Sequence, residues 1–145
     1  MITQPYPYTE LIPQTHYYFE SIGEKGKTVK IVAFFPLEDK VWNLGFGDLQ
    51  DDGSVNDLVT TNNQDARKVL QTVAKIAIDF LAQNPTEVLQ IEPIDNKRKQ
   101  LYNNIFQRYF QDITIIFNVL GILNGEEEVY TPLKSYSIFK ISLKV

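Results

Sequence analysis

Four aspartates, three glycines and a tryptophan crowd into VWNLGFGDLQDDGSVNDLV, from Val41 to Val59. Oxygen ligands at alternate positions followed by a glycine are the donor pattern of a calcium loop. Asp48, Gln50, Asp52, Gly53 and Asn56 take its first, third, fifth, sixth and ninth places. The twelfth place needs a bidentate glutamate and holds Val59. The flanks read as strands, where the loop needs helices. The ligand set is therefore incomplete, no metal site is expected, and Asp52-Gly53 reads as a hairpin turn. Gly45 and Gly47 flank Phe46 inside a strand, which suggests a bulge or a close backbone approach. Gly45, Phe46, Gly47 and Asp48 are candidate binding residues.

Two groups of basic residues suit phosphates. Lys97-Arg98-Lys99 with Arg108 and Tyr102 mixes charge and an aromatic ring on a helix, and Lys97 and Arg98 are kept as candidate binding residues. Lys25, Lys27 and Lys30 lie on the first hairpin. The competing description of both groups is an ordinary solvated face. His16 is the one histidine. No local serine and acid complete a triad with it, so it reads as a strand residue. Glu126-Glu127-Glu128 reads as a solvated loop.

These residues must be positioned by a chain of 145 residues, which suits one domain with a real core. Hydrophobic residues make up 43% and charged residues 22%, within the range of a soluble globular protein. The formal net charge of -4 gives no long-range attraction to nucleic acid or anionic membrane. The absence of cysteine excludes disulfides, zinc–thiolate sites, iron–sulfur clusters and a thiol nucleophile. MITQPYPYTELIPQ lacks the basic and apolar regions of a signal peptide, and no apolar run is long enough to cross a bilayer. A cytoplasmic location is expected.

Pro5, Pro7 and Pro13 make residues 1–14 an extended surface segment, with Tyr6 and Tyr8 available to pin it. Thr15 to Ile22, Thr28 to Phe35, Val41 to Leu49 and a short Val55 to Thr60 read as an antiparallel meander. From Gln64 to Gln83 the period changes. Val69, Leu70, Val73, Ile76, Ala77, Phe80 and Leu81 fall on one helical stripe, with Asn62 or Asn63 as cap. Glu87 to Ile91 is a strand. Asp95 or Asn96 caps a second helix whose apolar side is Leu101, Tyr102, Ile105, Phe106 and Tyr109. Ile113 to Leu123 is a β-branched run, Asn124-Gly125 a hairpin signal with a lengthened loop, and Ser135 to Val145 a last strand. The order is β-β-β-(β)-α-β-α-β-β: one α+β domain, a mainly antiparallel sheet with two packed helices.

That order resembles the core of the GCN5-related N-acetyltransferase fold without its first strand and helices. Ala66 to Phe110 resembles the fold's central helix–strand–helix unit. DNKRKQLYNNIFQRY resembles the helix on which family members carry a tyrosine near the cofactor thiol, and Tyr102 takes that position. The resemblance implies acetyl-CoA as cofactor, held by a glycine-rich loop before the central helix. The matching segment, TTNNQDARK, has no glycine and sets Asp65 near the phosphates, which disfavours that cofactor. Asn62, Asn63 and Arg67 are its candidate binding residues. FESIGEKGKTVKIVAFFP, WNLGFGDL and NNQDARKVLQTVA together resemble a family of short, uncharacterised bacterial proteins. That likeness implies a shared feature at Gly45–Asp48 and Asn62–Val73, and no activity.

Three functions follow as expectations. The first is a non-enzymatic binding or regulatory module on an acetyltransferase-like scaffold, with a protein partner or a second copy paired through the final hairpin. The second is a divergent acyl-CoA-dependent N-acyltransferase, with Tyr102 as acid and Glu20 or Asp48 as base. The third is a single-stranded nucleic-acid binder stacking bases on Tyr17, Phe19, Phe34, Trp42 and Phe46, which the acidic balance disfavours.

Overall fold

The computed structural model describes residues 4–23, 26–49, 55–56 and 66–144. Five strands come first: β1 (Tyr8–Ile12), β2 (His16–Gly23), β3 (Gly26–Glu38), β4 (Val41–Leu49) and β5 (Val55–Asn56). Then follow α1 (Ala66–Gln83), β6 (Val88–Ile91), α2 (Asn96–Arg108), α3 (Phe110–Ile116), β7 (Phe117–Leu123), β8 (Glu126–Val129) and β9 (Ile138–Leu143). The protein is α+β, with mainly antiparallel strand pairing; β4 and β6 pair in parallel. The chain forms two compact units, Met1–Phe35 with Leu44–Gln83, and Pro36–Asn43 with Asn84–Val145.

In the first unit the strands follow the order β1, β2, β3, β4, with β5 on β4. Alternation along β2 and β3 turns Tyr17, Phe19, Ser21, Lys30, Val32 and Phe34 inward. α1 meets them with Val69, Thr72, Ile76, Ala77, Phe80 and Leu81, residues three and four apart. Phe80 stacks on Phe34 with centroids 4.2 Å apart. The N-terminal segment is pinned by Tyr6, as its aromatic character suggests. Its backbone N–H donates to Thr72 Oγ1 at 2.8 Å, its hydroxyl donates to Ile22 O at 3.0 Å, and its ring lies 4.3 Å beneath the Lys68 ammonium. The segment goes further than an extended tail: Tyr8–Ile12 pairs with β2 as an edge strand.

In the second unit, Val41–Asn43 of β4 leads an order β4, β6, β9, β7, β8. Phe106 of α2 lies flat on Phe139 of β9, centroids 4.1 Å apart and rings 3° from parallel, and Tyr130 and Tyr136 close the cluster. Two expectations are corrected here. A third helix is present, because Ile113–Ile116 of the β-branched run continues helically as α3 and the strand starts only at Phe117. β-Branching costs a helix only a few tenths of a kcal/mol per residue. Two interactions hold the end of this one: Lys144 N–H donates to Ile116 O at 3.0 Å, and its ammonium donates to Thr114 O. The second correction concerns the acidic run. Asn124 and Gly125 both take positive φ, 53° and 79°, as the tightest hairpin turn requires, so Leu123 pairs directly with Glu126 and the glutamates form β8.

Candidate functional site

The residues singled out by sequence fall into both units. Gly45, Phe46, Gly47 and Asp48 share β4. A Cβ on Gly45 would meet only Ala33 O at 3.7 Å and the Phe35 ring at 3.8 Å, so packing does not demand glycine there. Asp48 is 5% exposed and forms an ion pair with Lys30, itself 1% exposed. Two charges taken out of water hold each other, which places Lys30 in the core instead of on a phosphate-binding surface. Glu20 pairs with Lys27 at 3.1 Å. Phe19 stacks on Phe46, so alternation sets Glu20 and Asp48 on opposite faces of the strands that carry them. Arg67 is exposed in the first turn of α1, and Asn62 and Asn63 lie outside the described residues. So does most of the stretch weighed as a calcium loop, apart from the pairing of Asp48 with Asn56 and Leu49 with Val55. Tyr17, Phe19 and Phe34 are core residues under α1, which removes them from a base-stacking platform.

In the second unit, Tyr102 is half-buried on α2 and Lys97 is exposed. Arg98 is buried. Asp95 caps the helix by accepting from Arg98 N–H at 2.8 Å, and its other oxygen pairs with the Arg98 guanidinium. Arg98 is thereby a structural residue and Lys97 a surface one.

Their neighbour Lys99 lines something more specific. A cleft of about 330 Å³ runs between α2 and Pro132–Ser135 of the β8–β9 connection. Its α2 wall presents five carboxamides, Asn96, Gln100, Asn103, Asn104 and Gln107, with Lys99 among them. The opposite wall adds Lys134, Ser135 and Leu133, which is 92% exposed. Asn103 fastens the two walls: its Nδ2 donates to Tyr136 O at 2.8 Å and its Oδ1 accepts from Tyr136 N–H at 2.7 Å. Nδ2 also donates to Lys99 O.

Tyr136 anchors the connection from below. Its ring is fully buried against β7, where Gly121 leaves room for it: a Cβ on Gly121 would fall 2.3 Å from Tyr136 Cδ1. Its hydroxyl donates to Glu128 Oε2 at 2.9 Å and accepts from Thr131 N–H at 3.1 Å. Lys134 donates to the same Glu128 oxygen at 3.0 Å. Hydrogen bonds from Lys134 and then Tyr136 hold the Glu128 carboxyl below the usual carboxylate range. The bond to Glu128 raises Lys134 in turn, and burial pushes the Tyr136 hydroxyl up, so the tyrosine stays a donor at neutral pH. The result is a rigid wall fastened by Asn103, facing a stripe in which Asn96, Gln100, Asn104 and Gln107 carry amides that both give and accept hydrogen bonds. The stripe was visible in the sequence as Asn96, Lys99, Gln100, Asn103 and Gln107 at helical spacing, opposite the apolar side of the same helix. Nothing in spacing pointed to Tyr136.

The chain belongs to a family of unknown function (DUF6934), whose model matches residues 3–144. No curated protein and no solved structure matches the chain. No helix among the described residues is long and apolar enough to cross a membrane.

Proposed function

We propose that the protein is a non-enzymatic, cytoplasmic binding module whose ligand is an acidic peptide segment held in the α2 cleft. The observation that carries this is the convergence of four carboxamides and Lys99 on one cleft whose wall Asn103 fastens. Carboxamides neither take nor give a proton near neutral pH, so a surface built from them recognises rather than transforms. They match the alternating N–H and C=O groups of a peptide, and Lys99 favours a carboxylate on it. The volume lies at the low end for ligand sites and suits two or three residues. Fluorescence anisotropy of a labelled, terminally blocked Gly-Glu-Gly-Asp-Gly peptide tests this. Saturable binding, weakened about tenfold by Lys99→Gln and lost with the Gln/Asn version of the peptide, is the expected result. Equal affinity for both peptides removes the proposal.

A divergent N-acyltransferase is the second reading. It draws support from a specific order: an antiparallel β2–β3–β4 meander, α1, a β6 parallel to β4, then α2 and antiparallel returning strands. That order is the one an acetyltransferase-like scaffold would need. Tyr102 on α2 would protonate the departing thiolate. Calorimetric titration of acetyl-CoA and free CoA decides it: micromolar binding favours transfer, and none at millimolar ligand dismisses it.

A further inference from the structure

The first unit contains a second cleft, of different chemistry. About 320 Å³ opens where Tyr8 and Glu10 of β1 and Tyr17 of β2 meet Asp79, Ala82 and Gln83 at the end of α1. Register explains the company. Glu10 is the direct cross-strand partner of Tyr17, so both side chains share the face that looks toward α1. Tyr8 meets Tyr17 edge to face, centroids 6.0 Å apart at 78°.

Tyr17 is the informative residue. It is 3% exposed, lines the cleft, and its hydroxyl makes no hydrogen bond to another described residue. The rest of the side chain is packed away, and the residue borders the same open space as the Glu10 and Asp79 carboxylates. Burial, and then the Glu10 charge, push it above the usual phenol value, so it keeps its proton. The Lys75 ammonium already sits 3.0 Å from Asp79. That pair is half exposed, and pairs of this kind hold weakly, so an incoming cation can replace Lys75 at little cost.

We propose that this cleft binds an organic cation, an alkylammonium or guanidinium group, between the Glu10 and Asp79 carboxylates and the Tyr8 and Tyr17 rings. The carboxylates accept its hydrogen bonds, the Tyr17 oxygen accepts one more, and the half-buried Tyr8 ring attracts its charge. Aromatic walls favour such ions over small hydrated metals, which need a shell of oxygens. The cation is either a free amine or a lysine or arginine side chain of a protein partner.

The test is an NMR titration of the labelled protein with n-butylammonium, methylguanidinium, a blocked Gly-Lys-Gly peptide and its acetyl-lysine counterpart. Saturable shifts at Tyr8, Tyr17 and Gln83 with the three cations are expected, and none with the acetylated peptide. Glu10→Gln and Asp79→Asn should each weaken binding about threefold to tenfold. Glu126→Gln on β8 removes the same charge elsewhere and should leave binding unchanged. Tighter binding of the lysine peptide than of butylammonium identifies a protein side chain as the source; equal or weaker binding identifies a free amine. The proposal fails if the acetylated peptide binds equally, if both cleft variants bind like the parent, or if Glu126→Gln weakens binding as much as they do. The absence of saturable shifts with any of the cations also overturns it.

Discussion

Gly121 and Tyr136 show how much can rest on a pair that the sequence leaves unmarked. A Cβ on Gly121 would lie inside contact distance of a fully buried ring, and backbone and ring would both have to move. Gly121→Ala is expected to cost about 1–3 kcal/mol in chemical denaturation, the range for forced overpacking. Gly45→Ala, with ordinary contacts only, should stay within about 0.5 kcal/mol of the parent. Tyr136→Phe leaves Thr131 N–H without its acceptor and Glu128 with Lys134 as its remaining donor, a loss of about 1–3 kcal/mol. Glu128 also gives a pH signature. Its folded value is lowered, so its stabilisation is complete above the unfolded value of about 4.5 and disappears as pH falls through the lower folded value. Glu128→Gln should flatten that part of the acid limb in thermal melts recorded against pH; an unchanged limb would remove Glu128 from this role. Asp79 has the opposite sign. Burial raises its carboxyl despite the neighbouring Lys75, so the ionised form opposes folding at neutral pH.

At the scale of elements, α2 explains both what was legible and what was not. Its apolar side and its Asp95 cap follow from helical spacing and the residue type at its start. Asp95→Ala should lower stability by about 1–2 kcal/mol and loosen Arg98, measured by denaturation and by amide exchange in the first turn. Fast exchange confined to other elements would contradict the cap. Its polar side was equally periodic, yet a stripe of amides looks like solvent-facing helix until a second wall is found opposite it. That wall is a connection fixed by Tyr136, and contacts across thirty residues of chain carry no local signal. α3 is hidden from sequence pattern for a related reason. Its isoleucines favour a strand by propensity, while Lys144, near the other end of the unit's chain, satisfies its last carbonyls. The three-and-four pattern of α1 and the alternation of β2 and β3 are legible because each answers to one buried face.

At the scale of the molecule, charge is distributed for two different purposes. Lys30 and Asp48 are shut in the core of the first unit, where removing one partner leaves the other charge buried. Asp48→Ala is expected to cost about 3–5 kcal/mol, and Lys30→Met with Asp48→Leu to recover much of it. A double variant no more stable than the single one would show that the pair does not act as a unit. The charges and amides of the α2 cleft stay at the surface, where a ligand can reach them. The most direct measurement is the set of side-chain amide resonances of Asn96, Gln100, Asn104 and Gln107, followed during titration with the blocked Gly-Glu-Gly-Asp-Gly peptide. Saturable shifts concentrated on these amides, and absent with the Gln/Asn peptide, are the expected result. Amides that stay fixed while shifts gather elsewhere, or nowhere, would contradict a binding role for this cleft.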